Sequence, residues 1–266
     1  MKSFREVEPA LPVAPYVGGK RNLADRLIKR IERIPHSVYA EPFVGMGGVF
    51  LRRRSAPSVE IINDRSKDVA TLFRVVQRHY VPFTEMIRWQ LTTRADFERL
   101  SKTDPETLTD LERSARFLYL QRTAFGGKVS GRNFGVSFQH AARFDLARVL
   151  PMLEALHERL NGVTIECLPF DAFIARYDRQ GTLFLLDPPY WGSEKDYGAE
   201  LFDRGCFAAL AAQLAGIKGR FLLTINDRPE TRKLFGRFKI EAVQTSYSIA
   251  GGHKSKRAGE LIVEGP

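Results

Sequence analysis

The sequence predicts an α/β fold: a mostly parallel sheet interrupted by an inserted, mainly helical segment that ends in a hairpin. Three observations lead there. Helix-period and strand-period apolar runs alternate from residue 20 to 79. The same alternation resumes after about residue 145. Between them, residues 80–140 are helical in pattern and rich in charge, and they close on a glycine-rich stretch. Alternating runs mark crossover helices on a parallel sheet, and a break in the alternation marks an insertion.

Taken in order, residues 20–34 carry Leu23, Leu27, Ile31 and Ile34 at helical spacing, which buries one face. Val38-Tyr39-Ala40 is a short apolar run that feeds a glycine-rich turn, and a helix is expected from Gly47 towards Arg54. Residues 59–63 read as a strand ending at Asp64, and residues 66–79 as a helix. The insertion follows, with helix over most of 81–125 and a turn at Asp104-Pro105. Glycines at 126, 127, 131 and 135 among alternating apolar positions then suit a hairpin or extended loop better than a helix. Beyond it come a helix at 146–160, a strand at 163–167, a short helix from Asp171 and a strand at 182–186. A helix at 202–214 and strands at 221–226, 238–245 and 260–263 complete the chain.

The 266 residues amount, at roughly 150 per domain, to one large domain or one domain with an insertion. Hydrophobic residues make up 44% and charged residues 27%, which excludes a disordered or fibrous chain. Two cysteines, Cys167 and Cys206, are too few for a disulfide scaffold. No apolar run approaches the ~20 residues that span a bilayer. The first eight residues carry two acids and no apolar core and are not a secretory signal, so a cytosolic location with no membrane partner is expected. None of the five histidines stands at a metal-ligand spacing, and no metal is expected.

The net charge is +10, and residues 113–148 hold seven basic residues against the single acid Asp145. Such concentration favours a polyanionic partner, because neutralising phosphates releases counterions. Generic solubility charge would be spread more evenly.

The sharpest chemical signal is Asp187-Pro188-Pro189-Tyr190 at the end of the apolar run 183–186. It sets a carboxylate at the carboxyl end of a buried strand, the edge where open α/β sheets bind ligands. Prolines lack N–H groups and stiffen the loop. Asp187, the freed carbonyls and the face of Tyr190 together suit a flat ring with an exocyclic amine. A solvated aspartate before a proline turn is the plain alternative, and four such residues after a strand weigh against it. Gly45, Gly47 and Gly48 lie between strand and helix, where a ligand can approach the backbone. Asp64 ends the next strand, where an acid commonly receives ribose hydroxyls. A dinucleotide site would look similar, but Phe50 stands where its third glycine belongs.

Asp187-Pro188-Pro189-Tyr190 resembles the catalytic motif of amino-methyltransferases that use S-adenosylmethionine (AdoMet). The rest of the chain is similar to the Dam-like DNA adenine methyltransferase family. The resemblance is carried by Pro15-Tyr16-Val17-Gly18-Gly19-Lys20, by Glu41-Pro42-Phe43-Val44-Gly45-Met46-Gly47-Gly48, by Asn63-Asp64, by Asn226 and by the closing run 254–262. These stand in the family's order and cover nearly the whole chain.

The resemblance implies a Rossmann-like AdoMet-methyltransferase domain from residues 1–79 and 141–266, with 80–140 as an inserted target-recognition lobe. It places Tyr16, Gly18, Lys20, Glu41, Pro42, Phe43, Gly45, Gly47, Asp64, Asp171 and Asp187 around AdoMet, with Tyr16 where relatives often carry Trp. Catalysis would fall to Asp187, Pro188, Pro189 and Tyr190. The implied activity is site-specific or relaxed-specificity methylation of the adenine amino group in double-stranded DNA, on an extruded base and without metal.

In the stretch 128–138, Arg132 and Asn133 are the expected base readers, since Arg pairs with guanine and Asn with adenine. Arg122, Lys128, Arg143 and Lys254 are expected on phosphates. The segment is shorter than the family's GATC-reading hairpin and lacks its arginine pattern, so relaxed specificity is credible. A monomer is expected, with a dimer as alternative. The rivals are an RNA adenine methyltransferase, a nucleic-acid-binding module with a decayed site, and an NAD oxidoreductase, which leaves Asp187 to Tyr190 unexplained.

Overall fold

A computed structural model describes residues 4–136, 144–194, 202–247 and 256–266. The expected α/β sheet is present. Its seven strands are β2 (Val38–Glu41), β4 (Val59–Asn63), β5 (Thr164–Glu166), β6 (Thr182–Leu186), β7 (Arg220–Asn226), β8 (Lys239–Tyr247) and β9 (Lys256–Gly265), with β1 (Arg5–Glu6) and β3 (Ser55–Ala56) forming a separate antiparallel pair. The order across the sheet is β5-β4-β2-β6-β7-β9-β8. All pairings up to β7 are parallel, and β9 is antiparallel to both of its neighbours.

The topology locates the site. From β2 the chain builds outward to β4 and β5 on one side, then returns to lay β6 and β7 on the other. The order therefore reverses between β2 and β6, and ligands of open parallel sheets bind outside the carboxyl ends of the strands at such a reversal. Those ends carry Glu41 with its glycine turn and Leu186 with Asp187 after it.

Side-chain alternation splits the core into two layers. Along β6, Leu183 and Leu185 join one buried cluster while Phe184 and Leu186 join the other, so the strand after Thr182 is apolar on both faces. On the first face, α1 (Ala24–Arg33) contributes Leu27 and Ile31, as its spacing predicts. The second face is covered by α7 (Phe170–Tyr177), α8 (Arg204–Leu214) and α9 (Pro229–Phe235), which supply Phe173, Phe207 and Phe235. A buried ion cluster locks the first layer. Both Glu60 oxygens accept from Arg159 at 2.8 Å, which ties β4 to α6 (Leu146–Arg159).

The insertion holds α3 (Tyr80–Ile87), α4 (Arg94–Lys102) and α5 (Asp110–Thr123). Thr93 caps α4 by accepting from the Asp96 N–H, and Thr109 with Glu112 closes a capping box on α5. Phe83, Ile87, Phe97, Phe117, Leu118 and Leu120 join the same buried cluster as Leu27, Tyr39 and Leu183, and α5 packs on α2 (Lys67–Arg78).

One expectation fails, one is decided between its alternatives, and one element is new. Gly47 to Arg54 makes only a 3-10 turn at Phe50–Arg52. Arg53 turns extended because its buried guanidinium bonds Glu60 at 3.1 Å and stacks 3.9 Å from the Tyr39 ring, contacts a continued helix would break. Residues 125–136 form no strand ladder. A 3-10 turn at Phe125–Gly127 and a single bridge between Ala124 and Phe134 shape a loop instead. Helix α9 was not foreseen; its sequence signal is Pro229 in the first turn after Arg228.

Candidate active site

Asp187 follows β6 with its side chain 21% exposed. Lys20, buried to 3% of its side chain, places Nζ 2.7 Å from Asp187 Oδ1, and the Thr224 hydroxyl donates to the same oxygen at 2.8 Å. Oδ2 takes neither partner. Burial pushes the Asp187 carboxyl up, and the Lys20 charge, with its hydrogen bond, and the Thr224 hydroxyl oppose that shift. Lys20 also donates to the Tyr190 hydroxyl at 2.6 Å and to the Gly18 carbonyl at 3.2 Å, with Nζ 4.4 Å from the Tyr190 ring centroid. One ammonium thus joins the first and last side chains of the Asp-Pro-Pro-Tyr sequence.

Two asparagine amides fix the loops around this centre. Asn226, ending β7, accepts from the Trp191 N–H at 2.9 Å and donates to the Trp191 carbonyl at 3.0 Å, clamping the chain just after Tyr190. Asn63, ending β4, donates to the Pro42 and Leu168 carbonyls at 2.8 and 3.1 Å and accepts from the Leu168 N–H at 2.7 Å. That second clamp draws the chain after β2 towards the start of α7. Phe43 and Phe170 there lie 5.8 Å apart, centroid to centroid, and both meet Phe202.

The glycine turn lies beside the segment 15–20. Gly45 and Gly47 have φ of +50° and +73°, and a Cβ on Gly45 would stand 3.3 Å from the Tyr16 ring. The Gly45 N–H donates to Asp64 Oδ2 and the Ser66 N–H to Oδ1, each at 2.8 Å. Burial raises Asp64 to about 6 despite these bonds. Glu41 is fully buried, accepts from the Tyr39 hydroxyl at 2.6 Å, and is raised to about 8 by burial.

The structure thus joins Lys20, Asp187 and Tyr190 in one set of contacts and Tyr16, Gly45 and Asp64 in another. Glu41 reaches Tyr39, and Pro42 and Phe43 stand behind the turn. Asp171 is in the first turn of α7 and exposed, with its carbonyl accepting from Gln213. Sequence reasoning missed Thr224 and the two rings that meet the expected Phe43, Phe170 and Phe202. A threonine within the otherwise apolar run 221–225 was the signal for the first.

The expected reader residues divide. Lys128 and Asn133 are exposed. Arg132 is turned inward, donating to the Lys128 carbonyl at 3.2 Å and to buried Gln121 at 3.3 Å. Arg122 donates to the Val13 carbonyl at 2.6 Å. Arg143 and Lys254 lie outside the described residues. The loop itself is anchored at the site, since Gln121 donates to both Pro15 and Gly127 carbonyls, at 2.8 and 2.6 Å. Among the described residues no helix is long and apolar enough to cross a membrane, and no group of three or more His, Cys, Asp or Glu could hold a metal ion.

The chain is 26% identical to the Type II methyltransferase M1.LlaDCHI of Lactococcus lactis subsp. cremoris, over 94% of this chain and 92% of the relative. It is 25% identical to a DNA adenine methylase of Salmonella typhi, over 93% and 92%. Among solved structures it superposes on a protein of Pyrococcus horikoshii provisionally named an RNA methyltransferase, with TM-score 0.42, 12% identity and 97% and 91% coverage. The model of the D12 class N6 adenine-specific DNA methyltransferases matches residues 16–249, and the chain belongs to that family.

Proposed function

We propose that the chain methylates the N6 amino group of adenine in double-stranded DNA with Asp187, Pro188 and Tyr190 as the reacting centre. The observation that carries this reading is the Lys20 bridge between Asp187 and Tyr190 at the reversal point of the sheet. The target base, extruded from the duplex, stacks on Tyr190. Asp187 Oδ2, left open by Lys20 and Thr224, and the Pro188 carbonyl accept the two amino hydrogens. Their pull turns the nitrogen lone pair out of conjugation, so that it can attack. Lys20 opposes the upward push that burial gives the Asp187 carboxyl, and Pro189 holds the loop stiff. As the N–CH3 bond forms, the amine loses one proton, which leaves along its hydrogen bond to Asp187. Positioning and electrostatics supply the acceleration.

AdoMet, when bound, supplies a methyl group on a sulfonium, which departs as a neutral thioether. The residues present fit it. Gly45 and Gly47 hold left-handed conformations beside Tyr16, so the backbone can be approached closely. Asp64 keeps a free lone pair on each oxygen for ribose hydroxyls, and Phe43 and Phe170 offer ring faces to adenine, with Asp171 beside them. Tyr16, Gly18 and Lys20 would border the amino-acid end.

Residues 80–140 serve as the target-recognition lobe. Within it Lys128 and Asn133 face the DNA and Arg132 and Arg122 brace the loop that presents them, while Arg143 and Lys254, outside it, add phosphate contacts. Nucleoside mass spectrometry of random-sequence DNA and RNA, incubated with purified protein and labelled AdoMet, tests the reading. N6-methyladenine from DNA is the expected product, and label confined to RNA or to cytosine would overturn the substrate.

A further inference from the structure

Glu260 is the most deeply buried charged group near the reacting centre, with none of its surface exposed. It opens the apolar run Leu261-Ile262-Val263, where the sequence could have continued apolar. Strand register sets its place. β9 lies between β7 and β8, pairing Glu260 with Asn226 on one side and Val243 on the other. It is therefore level with the asparagine that clamps the chain behind Tyr190. The Tyr190 hydroxyl, which accepts from Lys20, hydrogen-bonds the Glu260 carboxyl in turn, and Lys20 is the cation that offsets its charge. Thr245 donates to Oε1 at 3.3 Å, while the buried Oε2 has no hydrogen-bond partner among the described residues.

A buried carboxylate so thinly compensated costs stability, and an apolar residue of similar volume would serve the fold better. Its place in the chain Asp187–Lys20–Tyr190–Glu260 gives it another use. We infer that Glu260 is a positioning residue for methyl transfer: it takes the Tyr190 O–H and shares Lys20 with Asp187, which holds the Tyr190 ring in the plane where the target base stacks. A phenol oxygen anchored both as acceptor and as donor keeps the ring from swinging sideways about its Cα–Cβ bond. The inference rests on the reading of Asp187 and Tyr190 as the reacting centre.

The test is a double-mutant cycle of Glu260→Gln and Tyr190→Phe, read as the single-turnover rate of N6-methyladenine formation on unmodified plasmid DNA, with AdoMet affinity measured alongside. Glu260→Gln is expected to lower the rate about tenfold to a hundredfold with AdoMet affinity unchanged. In the Tyr190→Phe background, which lacks the hydroxyl, the same substitution should cost little, because coupled residues are non-additive. A wild-type rate for Glu260→Gln, or full additivity in the cycle, overturns the inference while leaving the reacting centre standing. Should Glu260→Gln fail to fold, Glu260→Asp takes its place in the cycle: a lowered rate that vanishes in the Tyr190→Phe background supports the inference, and a wild-type rate overturns it. Asp187→Ala and Tyr190→Ala are the controls for the underlying reading. Wild-type rates for both would sink that reading and the inference with it.

Discussion

Asp187 carries Lys20 and Thr224 on one oxygen, and this asymmetry makes its role testable residue by residue. Asp187→Asn keeps the size of the side chain but loses the charge that draws on the adenine amine. Its kcat should fall about 10²–10³-fold, the cost of losing one electrostatic contact to a transition state, with AdoMet affinity little changed. Single-turnover kinetics beside equilibrium binding would show the split. Lys20→Gln acts on the same carboxyl from the other side. Without the ammonium, burial raises Asp187 further, so the acidic limb of the pH–rate profile should move to higher pH. Glu41 answers a different question. Its folded value, about 8, lies above its ordinary 4.5, so the native state holds a proton that the unfolded chain releases. The stability this gives is fully present below pH 4.5 and lost as pH rises through 8, at up to about 1.4 kcal/mol per pH unit. Glu41→Gln should flatten denaturation midpoints between pH 5 and 8, and an unchanged slope would contradict the buried protonated state.

At the scale of elements, the loop 125–136 is tied to the segment around Pro15 through Gln121. Gly127 has φ +67°, and a Cβ there would meet the Pro15 carbonyl carbon at 3.0 Å. Gly127→Ala therefore forces the loop off its anchor beside Tyr16. DNA affinity should drop while AdoMet binding stays near wild type, as titration of each ligand would reveal. Lys128→Ala, on the exposed side of the same loop, should weaken binding to all sequences and reduce the salt slope by about one. This loop also shows where sequence reading runs out. Regular strands and helices were legible because burial leaves a period in the residue types; 182–186 and 221–226 were read almost to the residue. Whether Arg132 points outward or in is set by Gln121, eleven residues away on α5, and no local pattern encodes that. The same holds for the failed helix after Gly47, which Arg53 ends for the sake of Glu60 and Tyr39.

Across the whole molecule, the reversal of strand order and the insertion make one argument. The reversal gathers motifs far apart in the chain, so Lys20 and Asp187 meet although 167 residues separate them. Their order in the sequence betrayed the family, while the contact that couples them, Lys20 to both Asp187 and Tyr190, came only from the fold. The insertion does not stand apart from this framework. Phe117, Leu118 and Leu120 of α5 are buried in the cluster that holds Leu27 of α1 and Leu183 of β6. A shared core couples the stability of the two parts, so the chain should unfold in a single cooperative step, with tryptophan fluorescence and far-ultraviolet circular dichroism giving coincident transitions. Trp89 lies in the inserted segment and Trp191 beside the reacting centre, so variants retaining one or the other can report on each part separately. Phe117→Ala, which opens a cavity in the inserted helix, should lower both reporters' midpoints together by about 3–5 kcal/mol of stability. Two separated transitions would instead mean that the recognition lobe folds on its own and that the shared packing contributes little.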